Sequence, residues 1–310
     1  GILEVGKVQK KLRIVFDSLG LSKEKNISEL LREVAQDSSF YYLDSANAEK
    51  NLLTDFQVMV NGIKHFLPEL YLRYPSNKII VKKLPVFREE TTSLISYQAP
   101  KEHEDVAIIY LNLKNINRFP KYKLQTMVFH EVLGNFVQYW YESELEHVPT
   151  FRKGLRFKVF TEGWGLYCER LAREQQYFNS YHELVGNLQM ELYTAALLVV
   201  DTGIHYDRWN REKAAKYLYE TTGLSDEEIY DEIDRIIVKA GEACLYKIGE
   251  LEFLKLRQKA ETELGEKYKL KDFHNFILKN GNMPLTVLRT QVAKEIESIK
   301  NPKREISIFD

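Results

Sequence analysis

The chain has 310 residues, a formal net charge of −1 and 29% charged residues, enough length to bury one large core or two smaller ones. The near balance of charge excludes a basic field of the kind that binds nucleic acid or an anionic membrane. The apolar content of 44% excludes a disordered chain, and two cysteines, Cys168 and Cys244, make neither a disulfide framework nor a cysteine zinc site.

Leu and Val recur at three- and four-residue spacings over residues 3–35, which predicts helix with a break at Gly20. The same period returns over Ala46–Leu70, with Asp44 or Ser45 as its N-cap. From Lys78 the pattern changes to short runs rich in Ile, Val and Tyr (KIIVKKLP, ISYQAP, DVAIIYLNL) bounded by proline. These predict two or three strands of a small antiparallel sheet within residues 78–115. Pro120 suits a helix's first turn, and helical periodicity then persists to the end. The helices expected are 121–146, 155–175, 181–203, 210–221, 225–239, 241–264, 270–279 and 284–299. Gly223 before Ser225-Asp-Glu-Glu marks a stop and a start, and Gly281 another. No repeat, linker or low-complexity stretch divides the chain, so a single domain of 1–310 is expected. It comprises a helical part (1–75), the small sheet and a helical body (120–300). The longest apolar run, AALLVV, is too short for a membrane span, and no signal-peptide pattern follows Gly1, so a soluble chain is expected.

The chemistry-bearing residues concentrate between Lys121 and Glu169. His130 and Glu131 close an apolar helical run. Glu162 and Glu169 are seven residues apart on a later helix, two turns, and so share a face. A histidine beside a glutamate, with a carboxylate from a later helix, is how many zinc hydrolases hold metal and activate its water. The usual second histidine one turn on is absent: that position is Gly134, followed by Asn135. Further along, Asp201 and His205 are one turn apart with Trp209 a turn beyond, a spacing that equally suits a structural Asp–His hydrogen bond. Tyr246, Lys247 and Arg257 lie on a strongly apolar helix. A tyrosine near a metal can donate to a developing oxyanion, and a core tyrosine with a satisfied hydroxyl is the plainer reading.

The segments LPVFREETT, IIYLNL, PKYKLQTMVFHE, TEGWGLYCERL, LLVVDTGIHYDRWNREKAAKYL, AGEACLYKIGELEFLKLR and DFHNFILKNGNMPLTVL occur in one order over Leu84–Val292. In that set and order the chain resembles the bacterial domain of unknown function 885 family, itself similar to metallopeptidases of the gluzincin type. The resemblance implies a mainly α, cleft-forming zincin-like fold with a small sheet inserted, and members longer at the N-terminus. It implies zinc as cofactor and a peptide or small amide as substrate. His130 then corresponds to a first zinc ligand, Glu131 to the general base, Glu162 to the later-helix ligand and Glu169 to the residue behind the ligands. Tyr246 and His205 would join the catalytic groups, and Asp201, Lys247 and Arg257 would contact or support the substrate.

Where the family reads His-Glu-x-x-Pro-Gly-His-His, this chain reads His130-Glu131-Val132-Leu133-Gly134-Asn135-Phe136. The proline and both later histidines are gone. Asn135 offers only an amide, and zinc prefers nitrogen, sulfur or carboxylate donors. Loss of one imidazole ligand should weaken zinc binding on the order of a thousandfold. A second change replaces the family's Pro-Gly before the tyrosine helix with Ala240-Gly241, and Glu242 stands where Gln is usual. Two functions are therefore expected to compete. One is a metal-dependent peptidase-class hydrolase, and the other an inactive relative that binds a peptide or protein in the same cleft.

Overall fold

Apolar residues at helical spacing have only one way to leave water, by packing helix on helix, and that is what this chain does. The computed structural model describes all but residues 22, 44–45, 101–104, 147, 150, 153–154 and 303–310. Its longer helices are α1 (Ile2–Ser18), α2 (Ile27–Gln36), α3 (Ala48–Ile63), α4 (Lys121–Phe129), α5 (Val137–Ser143) and α6 (Lys158–Glu174). They continue as α7 (Tyr181–His205), α8 (Arg211–Thr222), α9 (Asp226–Val238), α10 (Leu245–Leu264), α11 (Leu270–Leu278) and α12 (Leu285–Lys300). The punctuation read from sequence is met. Gly223 has φ of 67°, and Ser225 caps α9 through a reciprocal box with Glu228. The Asp44 and Ser45 cap lies outside the described residues. Among these residues no helix is long and apolar enough to cross a membrane.

The sheet is mixed rather than antiparallel. Strands β1 (Lys78–Lys83), β2 (Ile95–Gln98) and β3 (Val106–Leu111) lie in the order β1-β3-β2. β3 pairs parallel to β1, Lys78 opposite Val106, and antiparallel to β2, Ile95 opposite Leu111. β3 is the strand that buries one face completely, with Ala107, Ile109 and Leu111 inaccessible to solvent. It therefore takes the centre, and β2 is left on an edge.

The expected helix 121–146 is also broken. Residues His130–Phe136 form a π-helical segment between α4 and α5, so the stretch that carries the His-Glu pair is wound more widely than its flanks. Two close approaches fix where the next helix lies. A Cβ on Gly134 would come within 2.9 Å of the Gly165 Cα, and one on Gly163 within 2.5 Å of the Gly249 Cα. Glycine at these crossings lets α6 lie backbone to backbone between the π-segment and α10. One apolar core surrounds α6, with Phe160, Trp164, Tyr167 and Phe253 at its centre. A second joins α1, α2, α7, α8 and α9.

Candidate functional site

Glu162, Gly165 and Glu169 form one stripe of α6, at offsets of three and seven residues, and His130 lies flat against it. The missing side chain at Gly165 is what admits the ring: a Cβ there would fall 2.2–2.6 Å from three imidazole atoms. His130 Nδ1 is 2.7 Å from Glu169 Oε1, and Nε2 is 3.6 Å from Glu162 Oε2. The imidazole thus stands between two carboxylates. Burial opposes its charge, but Glu162 and Glu169, with Glu131 behind them, outweigh it and raise its proton affinity well above the ordinary value. Glu131 is almost wholly buried. Burial raises its pKa, His130 and the Asn135 amide pull it back, and Glu162 and Glu169 push it further up. Its proton affinity is thus raised above that of a free carboxylate.

Asn135 has no imidazole or carboxylate to offer the point between His130 and Glu162, and its amide nitrogen is engaged with Glu131. Its Nδ2 donates to Glu131 Oε2 at 3.1 Å. That leaves His130 Nε2 and Glu162 as the two donors aimed at one place, whereas a catalytic zinc takes three protein ligands. Among the described residues no group of three or more His, Cys, Asp or Glu side chains is placed to hold a metal ion. The donor set does not fit a resident zinc.

Glu162 opens onto a cleft of about 1070 Å³ walled by α6, α7, α9, Tyr246 and the segment before β2. Tyr246 is the one further predicted residue that the structure brings to this cleft. Burial first, then the nearby Glu162 charge, raises its phenol pKa, so it remains a donor. The others lie elsewhere. Asp201 accepts from the Gly241 and Ala243 amides at 2.9 and 3.2 Å, and His205 Nε2 meets the Ile236 carbonyl at 2.9 Å. Asp201 ties the end of α7 to the turn that launches α10, and His205 ties it to α9, neither of them lining the cleft. Lys247 has no exposed surface and bonds Glu250 at 2.6 Å and Glu191 at 3.4 Å. Arg257 pairs with Glu174 at 2.6 Å and Glu261 at 2.9 Å. Cys168 is buried 3.6 Å from the Tyr71 hydroxyl, and Cys244 is buried and free.

Two features escaped the sequence reading. One is Gly165, although its place between Glu162 and Glu169 in T-E-G-W-G was there to be used. The other is a cluster of cations. Glu242 is held by Lys158 at 3.2 Å, Arg235 at 3.3 Å and Lys239 at 3.6 Å, and all four line the cleft. Three positive charges converge there, Lys158 from α6 and Arg235 and Lys239 from the end of α9, and only the tertiary fold brings Lys158 to the other two.

The family model described as "Bacterial protein of unknown function (DUF885)" matches residues 1–292, reaching well upstream of Leu84. No curated protein matches. The crystal structure of a "putative lipoprotein from Colwellia psychrerythraea" is similar, at 31% identity and a TM-score of 0.90, covering 96% of this chain and 51% of that one. A "putative lipoprotein of unknown function from Shewanella oneidensis" shares the fold at 17% identity and a TM-score of 0.79, covering 94% of this chain and 55% of that one. The chain spans about half the length of each.

Proposed function

We propose that this chain, which belongs to the DUF885 family of bacterial proteins of unknown function, holds a peptide or small amide in its cleft without hydrolysing it through zinc. The observation that carries this reading is the pair of converging donors, His130 Nε2 and Glu162, with no third imidazole, thiolate or carboxylate among the described residues placed with them to hold a metal. The cleft itself is intact. Its floor offers a carboxylate at Glu162 and a phenol at Tyr246, and one end gathers Lys158, Arg235 and Lys239 around Glu242. A peptide amine suits the first and a carboxylate the second, since three cations face Glu242 and, among the described residues, only Arg235 has a second acid, Glu232 at 2.5 Å.

A second reading, a working hydrolase, draws on one specific feature. Glu169 at 2.7 Å fixes the His130 ring from behind, as carboxylates do for metal-ligating histidines, and leaves Nε2 facing Glu162. Zinc loading followed by exhaustive dialysis separates the two, with metal counted per chain in wild type and in Glu162→Ala. The proposal expects no retained zinc in either, together with saturable peptide binding that is weakened in Lys158→Ala. One zinc per chain, lost in Glu162→Ala and accompanied by peptide cleavage, would overturn it in favour of hydrolysis. Insertion of the Pro-Gly-His-His segment should raise zinc affinity by on the order of a thousandfold. An unchanged affinity would remove ligand loss as the explanation.

A further inference from the structure

A second cavity of about 650 Å³ opens beside the cleft, between α2, α9 and the turn leading into α4, and its inner wall carries Lys123. Lys123 lies on α4 and is only 9% exposed. Among the described residues neither the Lys123 ammonium nor the Arg118 guanidinium, which lines the same cavity, has a side-chain hydrogen bond or an ion pair within 4 Å, and the ammonium lies 5.6 Å over the Tyr122 ring. The neighbouring polar groups are already satisfied within the protein. The Tyr41 hydroxyl donates to the Ala35 carbonyl, and the Tyr122 hydroxyl to Gln189, which itself donates to the Thr222 carbonyl. Arg32 donates to the Tyr219 carbonyl. Glu228, the acid facing Lys123 from α9, is the capping-box partner of the Ser225 amide and hydroxyl, at 3.0 and 2.8 Å. What the wall leaves unspent is an ammonium and a guanidinium, both donors only.

The one acid that acts on the Lys123 ammonium and on Arg118, Glu228, is shared between two cations and a capping box, and a cavity large enough for a ligand lets a further anion be supplied from outside. Burial pulls the Lys123 ammonium's pKa down, Glu228 and Tyr41 raise it and Arg118 lowers it, so an incoming anion would relieve both cations at once. The mouth has the opposite sign. Asp226, Glu227 and Asp231 are exposed on α9 around the opening. Apolar surface from Ala35, Leu43, Pro120 and Leu224 lies between the two. We infer that this cavity is a second binding site, which takes the carboxylate of a small zwitterion, a free α-amino acid or a dipeptide, against Lys123 and Arg118 with its ammonium toward the acidic mouth. The inference does not depend on the chemistry at His130.

Isothermal titration of the full chain with L-leucine, leucyl-leucine, acetate and n-butylamine tests it. Saturable binding of one or both zwitterions is expected, weakened about tenfold or more in Lys123→Met and Arg118→Gln and unchanged in Glu162→Ala. The relative affinities of leucine and leucyl-leucine say which source the site prefers. Lys123→Met keeps the length and apolar stem of the side chain and Arg118 is exposed, and melting curves of both variants separate loss of binding from loss of folding. Absence of zwitterion binding at millimolar concentration would overturn the site, as would binding untouched by both variants. Acetate binding as tightly as leucine would overturn the role of the acidic mouth.

Discussion

His130 and His274 pack against opposite faces of the same helix, α6, and have their proton affinities moved in opposite directions. His130 meets the polar stripe of Glu162, Gly165 and Glu169, whose carboxylates raise its proton affinity. His274 meets Trp164 and Tyr167, its Nδ1 2.7 Å from the Leu70 carbonyl and its Nε2 2.9 Å from the Tyr167 hydroxyl. A carbonyl can only accept, so Nδ1 carries the proton and Nε2 accepts from the phenol. Burial pushes the pKa of His274 down to about 3, against which the Leu70 carbonyl pulls only weakly. Both rings are shielded from water, so burial alone does not decide the outcome. The groups placed on the two ring nitrogens do.

The core histidine offers the largest effect on stability. His274→Ala should destabilise the fold by about 3 kcal/mol, because it opens a cavity among aromatic rings and leaves the Leu70 carbonyl and Tyr167 hydroxyl without a partner. Chemical denaturation at pH 7 measures this, and a loss below about 1 kcal/mol would mean that the core closes over the gap.

A pH titration of stability sharpens the contrast further. The folded His274 has a pKa of about 3, below the unfolded value of 6.5, so the unfolded chain binds more protons between the two. Stability from this residue is therefore lost as pH falls through 6.5 toward 3, by about 2 kcal/mol between pH 7 and pH 5. His130 has the reverse sign. Its pKa is raised on folding, so its contribution is complete below 6.5 and is lost only as pH rises through the folded value. The difference in slope between wild type and His274→Phe over pH 5–7 isolates the core ring, and equal slopes would show that folding leaves the protonation of His274 unchanged.

How legible these regions were in the sequence follows from the range of the forces that build them. Local patterns found the helices and their caps, since Gly223, Ser225 and Glu228 act within a few residues. They did not find the π-segment: α and π turns differ by one residue's winding, and here a contact from outside, Gly134 on Gly165, accompanies the wider turn. The parallel pairing of β1 with β3 is likewise a matter of which strand must be buried, which alternation within each strand cannot rank. At the site, the pairing of His130 with Glu162 and Glu169 was legible from residue type and helix spacing. The burial of Lys247, the diversion of Asn135 to Glu131 and the cations around Glu242 depend on partners 3 to 84 positions away, as Lys247 to Glu250 and Lys158 to Glu242 show.

Glu169→Gln gives the smallest change in stability and the most direct probe of what sets the two rings apart. The amide oxygen of glutamine still accepts from His130 Nδ1, so the hydrogen bond and ring orientation persist while the charge is removed. The cost at pH 7 should stay within about 1 kcal/mol, since one of several carboxylates around the imidazolium is neutralised without leaving a donor unpaired. The pKa of His130 should nevertheless fall, because Glu169 raises it both through the hydrogen bond and through its charge. The Cε1–H resonance of His130 reads this directly. It is identified among the seven histidines by its absence in His130→Gln. An unmoved titration in Glu169→Gln, with Glu162→Gln shifting it instead, would transfer the controlling role to the carboxylate 3.6 Å from Nε2. The cleft-facing side of the ring would then set its charge, and any ligand that draws Glu162 away would release the proton.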